Sequence, residues 1–247
     1  MTAQRWTDQV RRGLGLGRLL PLGGPGDGAW VAESAAVTVL RQAVAGPAGV
    51  RLGRVRVALA DPEAVAEPAV PAPPSALPPG GLRVTADLAA TAEAPLPVTA
   101  SRVRVNLTGA AERLGLTVTE IDLRVTELLD EAAGPAPAAD PAGPVPDGVP
   151  RETSRTAADD ADTAEARAGR AALAVPGVTG LTGFLGRAVH IDDGPRREAE
   201  LPRRHVRVEV AVAGDRRPVE VARAVRAAVT EALEERPTVA VLVTAVE

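Results

Sequence analysis

The chain is 247 residues long, 45% hydrophobic and 24% charged, with a formal net charge of -4: the make-up of an ordinary soluble protein with room for two modest domains. The acidic balance excludes nucleic-acid binding by overall charge, and the absence of cysteine excludes disulfides, thiolate zinc sites and a cysteine nucleophile. No stretch reaches the ~18 consecutive apolar residues of a membrane span, and the amino terminus lacks the hydrophobic run of a signal peptide, so a cytoplasmic location is expected.

Residues 1–28 read as a basic arm. Trp6, Val10 and Leu14 recur at i, i+4 and i+8 among Arg5, Arg11, Arg12 and Arg18, the pattern of a short amphipathic helix broken by the glycines from Gly13 to Gly17. A first α+β unit is expected over 29–129. Trp30-Val31 reads as a short strand, and 32–45 as a helix with Val37, Leu40 and Val44 on one face, ended by Gly46-Pro47. Val55, Val57 and Leu59 alternate with Arg54, Arg56 and Ala58 as in a half-buried strand. The proline-rich stretch 61–81 cannot pair in a sheet and is expected to be a surface excursion. Leu82 to Ala90 alternates as the next strand, whereas 97–114 fits both a strand and a helix period. Residues 116–128 close the unit as a strand, bulged where the alternation of Leu116 and Val118 changes phase to Ile121, Leu123 and Val125.

Residues 130–156 are rich in proline, alanine and acidic side chains and read as a linker, and 157–247 as a second α+β unit. Within the second unit Val206-Arg-Val-Glu-Val-Ala-Val echoes Leu82-Arg-Val-Thr-Ala-Asp-Leu, with arginine in the same slot. Val221, Val225, Val229 and Leu233 keep i+4 spacing, and Thr108-Gly-Ala-Ala-Glu112 matches Thr230-Glu-Ala-Leu-Glu234, which makes helices of both 97–114 and 218–236. Val239 to Val246 closes the second copy. Gly49-Val50 and Leu52-Gly53-Arg54 find counterparts in Gly177-Val178 and Leu185-Gly186-Arg187, and this shared order indicates an internal duplication. The fold expected is α+β: two repeated small units, each a mostly antiparallel sheet with two helices in the order β-α-β-β-α-β, the first strand of the second copy being undetermined.

Ala174-Val-Pro-Gly-Val178, Val206 to Val212, Pro218-Val-Glu-Val-Ala-Arg-Ala-Val-Arg226 and the closing valine-rich strand together resemble the alkaline shock protein family of bacterial envelope-stress proteins. The first copy is similar to a degenerate relative of the same unit, through Trp30-Val-Ala-Glu-Ser34 and Gly49-Val50. The resemblance covers roughly 29–129 and 157–247. It implies a non-enzymatic cytoplasmic scaffold of the envelope stress response that self-associates or docks on a membrane-anchored partner. Most members have one such unit; this chain has two, an arm and two proline-rich insertions.

Little else carries chemistry. His190 with Asp192 and Asp193 is the best metal or acid-base candidate by residue type, but it reads as a solvated strand end, as does His205. Gly13-Leu-Gly-Leu-Gly17 lacks the strand, lysine and helix of a phosphate loop. Gly180, Gly183 and Gly186 have the GxxG spacing of a KH clamp, yet lead into a strand where that module joins two helices. No serine sits in a nucleophile elbow. No cofactor, metal or small-molecule substrate is expected. Every one of the 28 basic residues is arginine, and they concentrate in the second unit. Candidate contacts to a protein partner or an anionic surface are therefore Trp6, Arg11 and Arg12 in the arm and Arg203, Arg204, Arg207, Arg216 and Arg217 in the second unit. The alternative to a scaffold is a nucleic-acid-binding module using those second-unit arginines; the scarcity of aromatics for base stacking counts against it.

Overall fold

The computed structural model describes residues 16–45, 49–129, 163–192 and 204–247, and shows an α+β fold with two mixed sheets and, among those residues, four helices. In chain order the elements are β1 (Leu19–Leu22), β2 (Ala29–Ala32), α1 (Glu33–Val44), β3 (Val50–Leu59), β4 (Leu82–Thr91), α2 (Leu96–Leu114) and β5 (Val118–Leu129). They continue with α3 (Ala164–Leu173), β6 (Val178–Leu181), β7 (Val189–Asp192), β8 (His205–Val212), α4 (Pro218–Ala232) and β9 (Thr238–Val246).

One sheet is three-stranded in the order β3-β4-β5; the other is six-stranded, running β1-β2-β9-β8-β6 with β7 also on β8. In both, an antiparallel neighbour precedes a central strand, and a helix then carries the chain across to a parallel one: β4-α2-β5 and β8-α4-β9. The expectation of mostly antiparallel sheets holds only in part: both sheets are mixed, with β4–β5, β2–β9 and β8–β9 parallel and the other described pairs antiparallel. A chain that leaves one end of a strand, climbs a helix of 19 or 15 residues and returns to the start must lay the next strand parallel.

A second difference concerns β2. Sequence order assigns Trp30-Val31 to the first unit, but β2 pairs parallel with β9, Trp30 opposite Leu242 and Val31 opposite Val243, inside the larger sheet. The reason is burial. Ala29, Trp30, Val31 and Ala32 are buried on both faces, and so is β9 from Val239 to Thr244; such strands stabilise only in the middle of a doubly covered sheet. β1, which falls in the expected arm, is likewise wholly buried and pairs antiparallel with β2.

Local chemistry places the helices. Pro97 and Pro218 start α2 and α4, where a missing N–H costs nothing, and Thr163 Oγ1 accepts from Ala166 N to cap α3. α2 ends at Gly115, whose φ of 90° only glycine adopts easily; a Cβ there would also stand 2.5 Å from Val219 on α4. Gly115 O accepts from Gly23 N at 2.8 Å, so the end of α2, the β1–β2 turn and the start of α4 meet at one point. α1 lies between the sheets, touching β2 and β9 on one side and β3 and α2 on the other. A single apolar cluster runs from Leu19, Trp30 and Leu40 through Leu82, Leu88 and Leu107 to Val208, Val225 and Leu242.

The proline-rich stretch is not a free excursion. Leu19 N donates to Ser75 O (3.2 Å), Leu77 N to Leu19 O (2.8 Å) and Ala66 N to Pro79 O (2.8 Å), while Val70 is buried against Gly28. Prolines lack a donor, but their carbonyls and the amides between them still pair, so the segment covers the outer edge of β1. The expected phase change in β5 is present: the register with β4 skips Thr119, and again Thr126.

Trp30→Ala is expected to cost about 3–5 kcal/mol in urea unfolding within one transition for the whole chain, whereas Val105→Ala on the exposed face of α2 should change stability by about 0.5 kcal/mol or less. Two transitions, only one of them moved by Trp30→Ala, would show that the sheets unfold separately.

Candidate functional site

Ionisable side chains gather on one face of β7 and β8. The register sets His190 beside Arg207 and Asp192 beside His205, and Glu209 continues the same face two residues on. Among the described residues no group of three such side chains converges to hold a metal. His190 and Asp192 are exposed, as expected for a strand end, and Asp193 lies outside the described residues. His205 is part-buried and its Nδ1 stands 2.9 Å from Thr238 Oγ1; burial is the main force pushing its pKa down.

Glu209 is the unusual member. It is 0% exposed, yet it sits on the central strand of the sheet, with Leu242 beside it on β9. Leu185 N donates to both carboxylate oxygens at 3.2 and 3.3 Å, tying the Thr182–Gly186 loop down over the strand. Thr182 Oγ1 meets Thr244 Oγ1 at 2.7 Å beneath the same loop. Burial pushes the Glu209 pKa up to about 7, against the Leu185 amide, the charge of Arg207 and the Phe184 amide, which lower it. Arg207 is only 15% exposed on its side chain; its Nε stands 3.7 Å from Glu209, too far for a hydrogen bond, and has no hydrogen-bond partner. A carboxyl of this pKa could exchange a proton near neutrality, but it is sealed under the loop, and the chemistry it performs here is to pin Leu185.

The glycines of that loop do not join helices. Gly180 lies in β6, and Gly186 N donates to Gly183 O in a turn between two strands. In the three-stranded sheet the matching Leu52-Gly53-Arg54 is a bulge within the continuous β3.

The arginines chosen from sequence do not form one patch. Arg204, before β8, pairs with Glu235 at 3.4 Å; Arg216 and Arg217 follow the other end of β8, roughly 25 Å away, where Arg217 pairs with Glu220 at 2.9 Å and donates to Glu112 O at 3.2 Å. Arg207 faces the buried Glu209 and offers little surface. Trp6, Arg11, Arg12 and Arg203 lie outside the described residues. A different basic groove of about 520 Å³ runs along α4, lined by Arg223, Arg226, Thr230, Glu231 and Arg236. Its Arg223 is already engaged: it grips Asp27 with two hydrogen bonds of 2.8 and 2.9 Å and holds that carboxyl below the usual range.

The sheet edges are treated unequally. On β3, Val57 N donates to Glu33 Oε1 at 3.2 Å and Val57 O accepts from Arg18, so side chains close that edge. β1 is covered by the proline-rich segment, and β6 and β7 are four residues each. β5 is different: it has 12 residues, and among the described residues β4 is its only ladder partner. Val125 (38% exposed) and Leu128 (62%) stay open on it, while Val84, Ala86 and Leu88 of β4 are fully buried.

Comparison with family models, with curated proteins and with solved structures finds no match.

Sequence alone pointed at Arg207 but missed Glu209, because Val206-Arg-Val-Glu-Val alternates like a strand with one solvated face. The signal was in the neighbour: Val239-Ala-Val-Leu-Val243 is apolar on both faces, so the strand beside it should also be covered on both.

Glu209 has a folded pKa above its unfolded value, so its contribution to stability is complete below about pH 4.5 and is lost as pH rises through about 7. His205, lowered, acts in the opposite sense, losing stability as pH falls through its unfolded value near 6.5. Glu209→Gln is therefore expected to lose stability relative to the wild type at pH 5 and to regain up to a few kcal/mol of that difference at pH 8. An unchanged gap between the two melting curves across that range would refute the assignment.

Proposed function

We propose that this protein is a non-enzymatic structural scaffold built from two related α+β units, similar in kind to the alkaline shock proteins of the bacterial envelope stress response, and that it works in the cytoplasm by self-association or by docking on a membrane-anchored partner. The observation that carries the reading is the long open edge of β5, with Val125 and Leu128 exposed beside it. Unpaired strand edges accept another strand, and folds that have no use for one blunt it. The other edges are short or covered; β5 is long, and among the described residues its edge meets one side chain, Arg104, whose Nε donates to Ile121 O at 3.5 Å. Support for the duplicated plan is the common sequence of helix, antiparallel strands, crossover helix and parallel closing strand around β4 and β8. Among the described residues no helix is long and apolar enough to cross a membrane.

A second reading has one specific observation behind it, the arginine-lined groove on α4, which could receive the phosphates of a nucleic acid. Its engaged Arg223 and the dispersion of the other arginines favour the scaffold.

Light scattering on the full chain is expected to show a mass rising above the 25.2 kDa monomer with concentration, or native-cell fractions to show the protein retained with one membrane-anchored protein. A monomer at every concentration that also stays wholly in the soluble fraction sinks the scaffold reading. Retardation of DNA or RNA at low salt, abolished by moderate salt and by Arg226→Glu, would favour the second reading instead.

A further inference from the structure

We propose that the β5 edge pairs with the β5 edge of a second copy, antiparallel and about a two-fold axis at Leu123, joining two three-stranded sheets into one. The proposal rests on the scaffold reading and names its contact.

The fold itself displays a filled counterpart. β9 follows a crossover helix and lies parallel to its central strand, as β5 does, and the outer side of β9 is occupied by β2. The same side of β5 has no described strand beside it, only the long 3.5 Å contact from Arg104 Nε to Ile121 O, which a partner strand's amide would replace. Three strands could supply one. β2 of another copy is committed, being wholly buried between β1 and β9. The residues following β5 carry Pro135, Pro137, Pro141, Pro144, Pro146 and Pro150, which cannot sustain a ladder. β5 of a second copy has the length, and its charges select a register.

Ile121, Leu123 and Val125 pair in register with the buried Val84, Ala86 and Leu88, and so share their face; Asp122 and Arg124 are on the opposite, exposed face. A partner strand must keep apolar residues beside apolar residues, which restricts the two-fold to a residue and not to a gap between residues. A pivot on Asp122 sets two carboxylates opposite each other, and a pivot on Arg124 sets two guanidiniums opposite each other. The pivot on Leu123 places Asp122 opposite the partner's Arg124 and Arg124 opposite the partner's Asp122, with Ile121 opposite the partner's Val125 and Leu123 opposite the partner's Leu123. Like charges directly opposite destabilise a pair and unlike charges stabilise it, so this register is the favoured one. Within one chain Asp122 has Arg83 at 3.7 Å, while Arg124 has no ion-pair partner among the described residues. An interface of this kind is isologous and closes as a dimer, with no further edge offered for growth.

The test uses the full chain and two charge reversals on the exposed face, Arg124→Asp and Asp122→Arg, each checked for folding by circular dichroism. Sedimentation equilibrium is expected to show a wild-type dimer and to show each variant alone dimerising about tenfold more weakly or worse, because two opposite-charge pairs become like-charge pairs. Mixed in equal amounts, the variants should regain wild-type dimerisation, since every cross-strand pair is then opposite in sign. A wild-type dimer indifferent to both reversals would overturn the β5 contact while leaving self-association standing. A monomeric wild type overturns the β5 contact too, and the scaffold reading then stands or falls on the membrane partner alone. Variants that weaken alone and fail to rescue each other would also overturn the register.

Discussion

The pairing of β2 with β9 is the constraint on which the rest of this structure depends. It carries a segment from the start of the chain into the sheet built by its end, and so places Trp30 beside Leu242 in the centre of the core. Once β2 is there, α1 must leave it from the larger sheet and reach the smaller, which sets the two sheets against a common helix. The junction is then fastened by polar contacts that would have no reason to form otherwise. Glu33 at the start of α1 accepts from Arg18 N and Val57 N, and Asp27 in the β1–β2 turn holds Arg223 on α4. Exposed ion pairs of this sort contribute little individually; the burial of four consecutive residues of β2 contributes most.

The same constraint explains why the two sheets present such different surfaces. Addition of β2 and β1 turns β9 from an edge into a central strand, covered on both faces, and on β8 beside it Glu209 lies sealed beneath the Thr182–Gly186 loop and is pushed toward neutrality. Among the described residues the smaller sheet receives no added strand. Its outward face stays polar, laced by Arg83–Glu120 and Arg51–Glu127 pairs, and β4 is the one described strand that pairs with β5. Among the described residues the long unpaired edge therefore lies on the smaller sheet, and the buried charge on the larger one acts on loop packing.

Much of this was legible in the residues. Apolar spacing placed the helices at 32–45 and 218–236, the matching of 97–114 to 218–236 decided an ambiguous segment, and the phase change after Val118 anticipated the skipped Thr119. What was not legible was partnership between distant strands. Trp30-Val31 looks the same in either sheet by local pattern, because alternation specifies which residues are buried and not against what. The arm hid β1 for a related reason: Leu19-Leu-Pro-Leu22 is too short for periodicity and contains a proline, which an antiparallel end strand tolerates. Charge counted along the chain does not show how the arginines group, because the two ends of β8 separate Arg204 from Arg216 and Arg217 in space.

Amide hydrogen exchange tests the central claim most directly. If β2 is an integral strand, the amides of Trp30 and Val31 should exchange only through the global unfolding that also releases Val241 to Val243, with equal free energies of opening. Exchange of Trp30 and Val31 by a local opening, well before β9, would mean that the segment is an appended arm, and the account of a single core organised around it would be wrong.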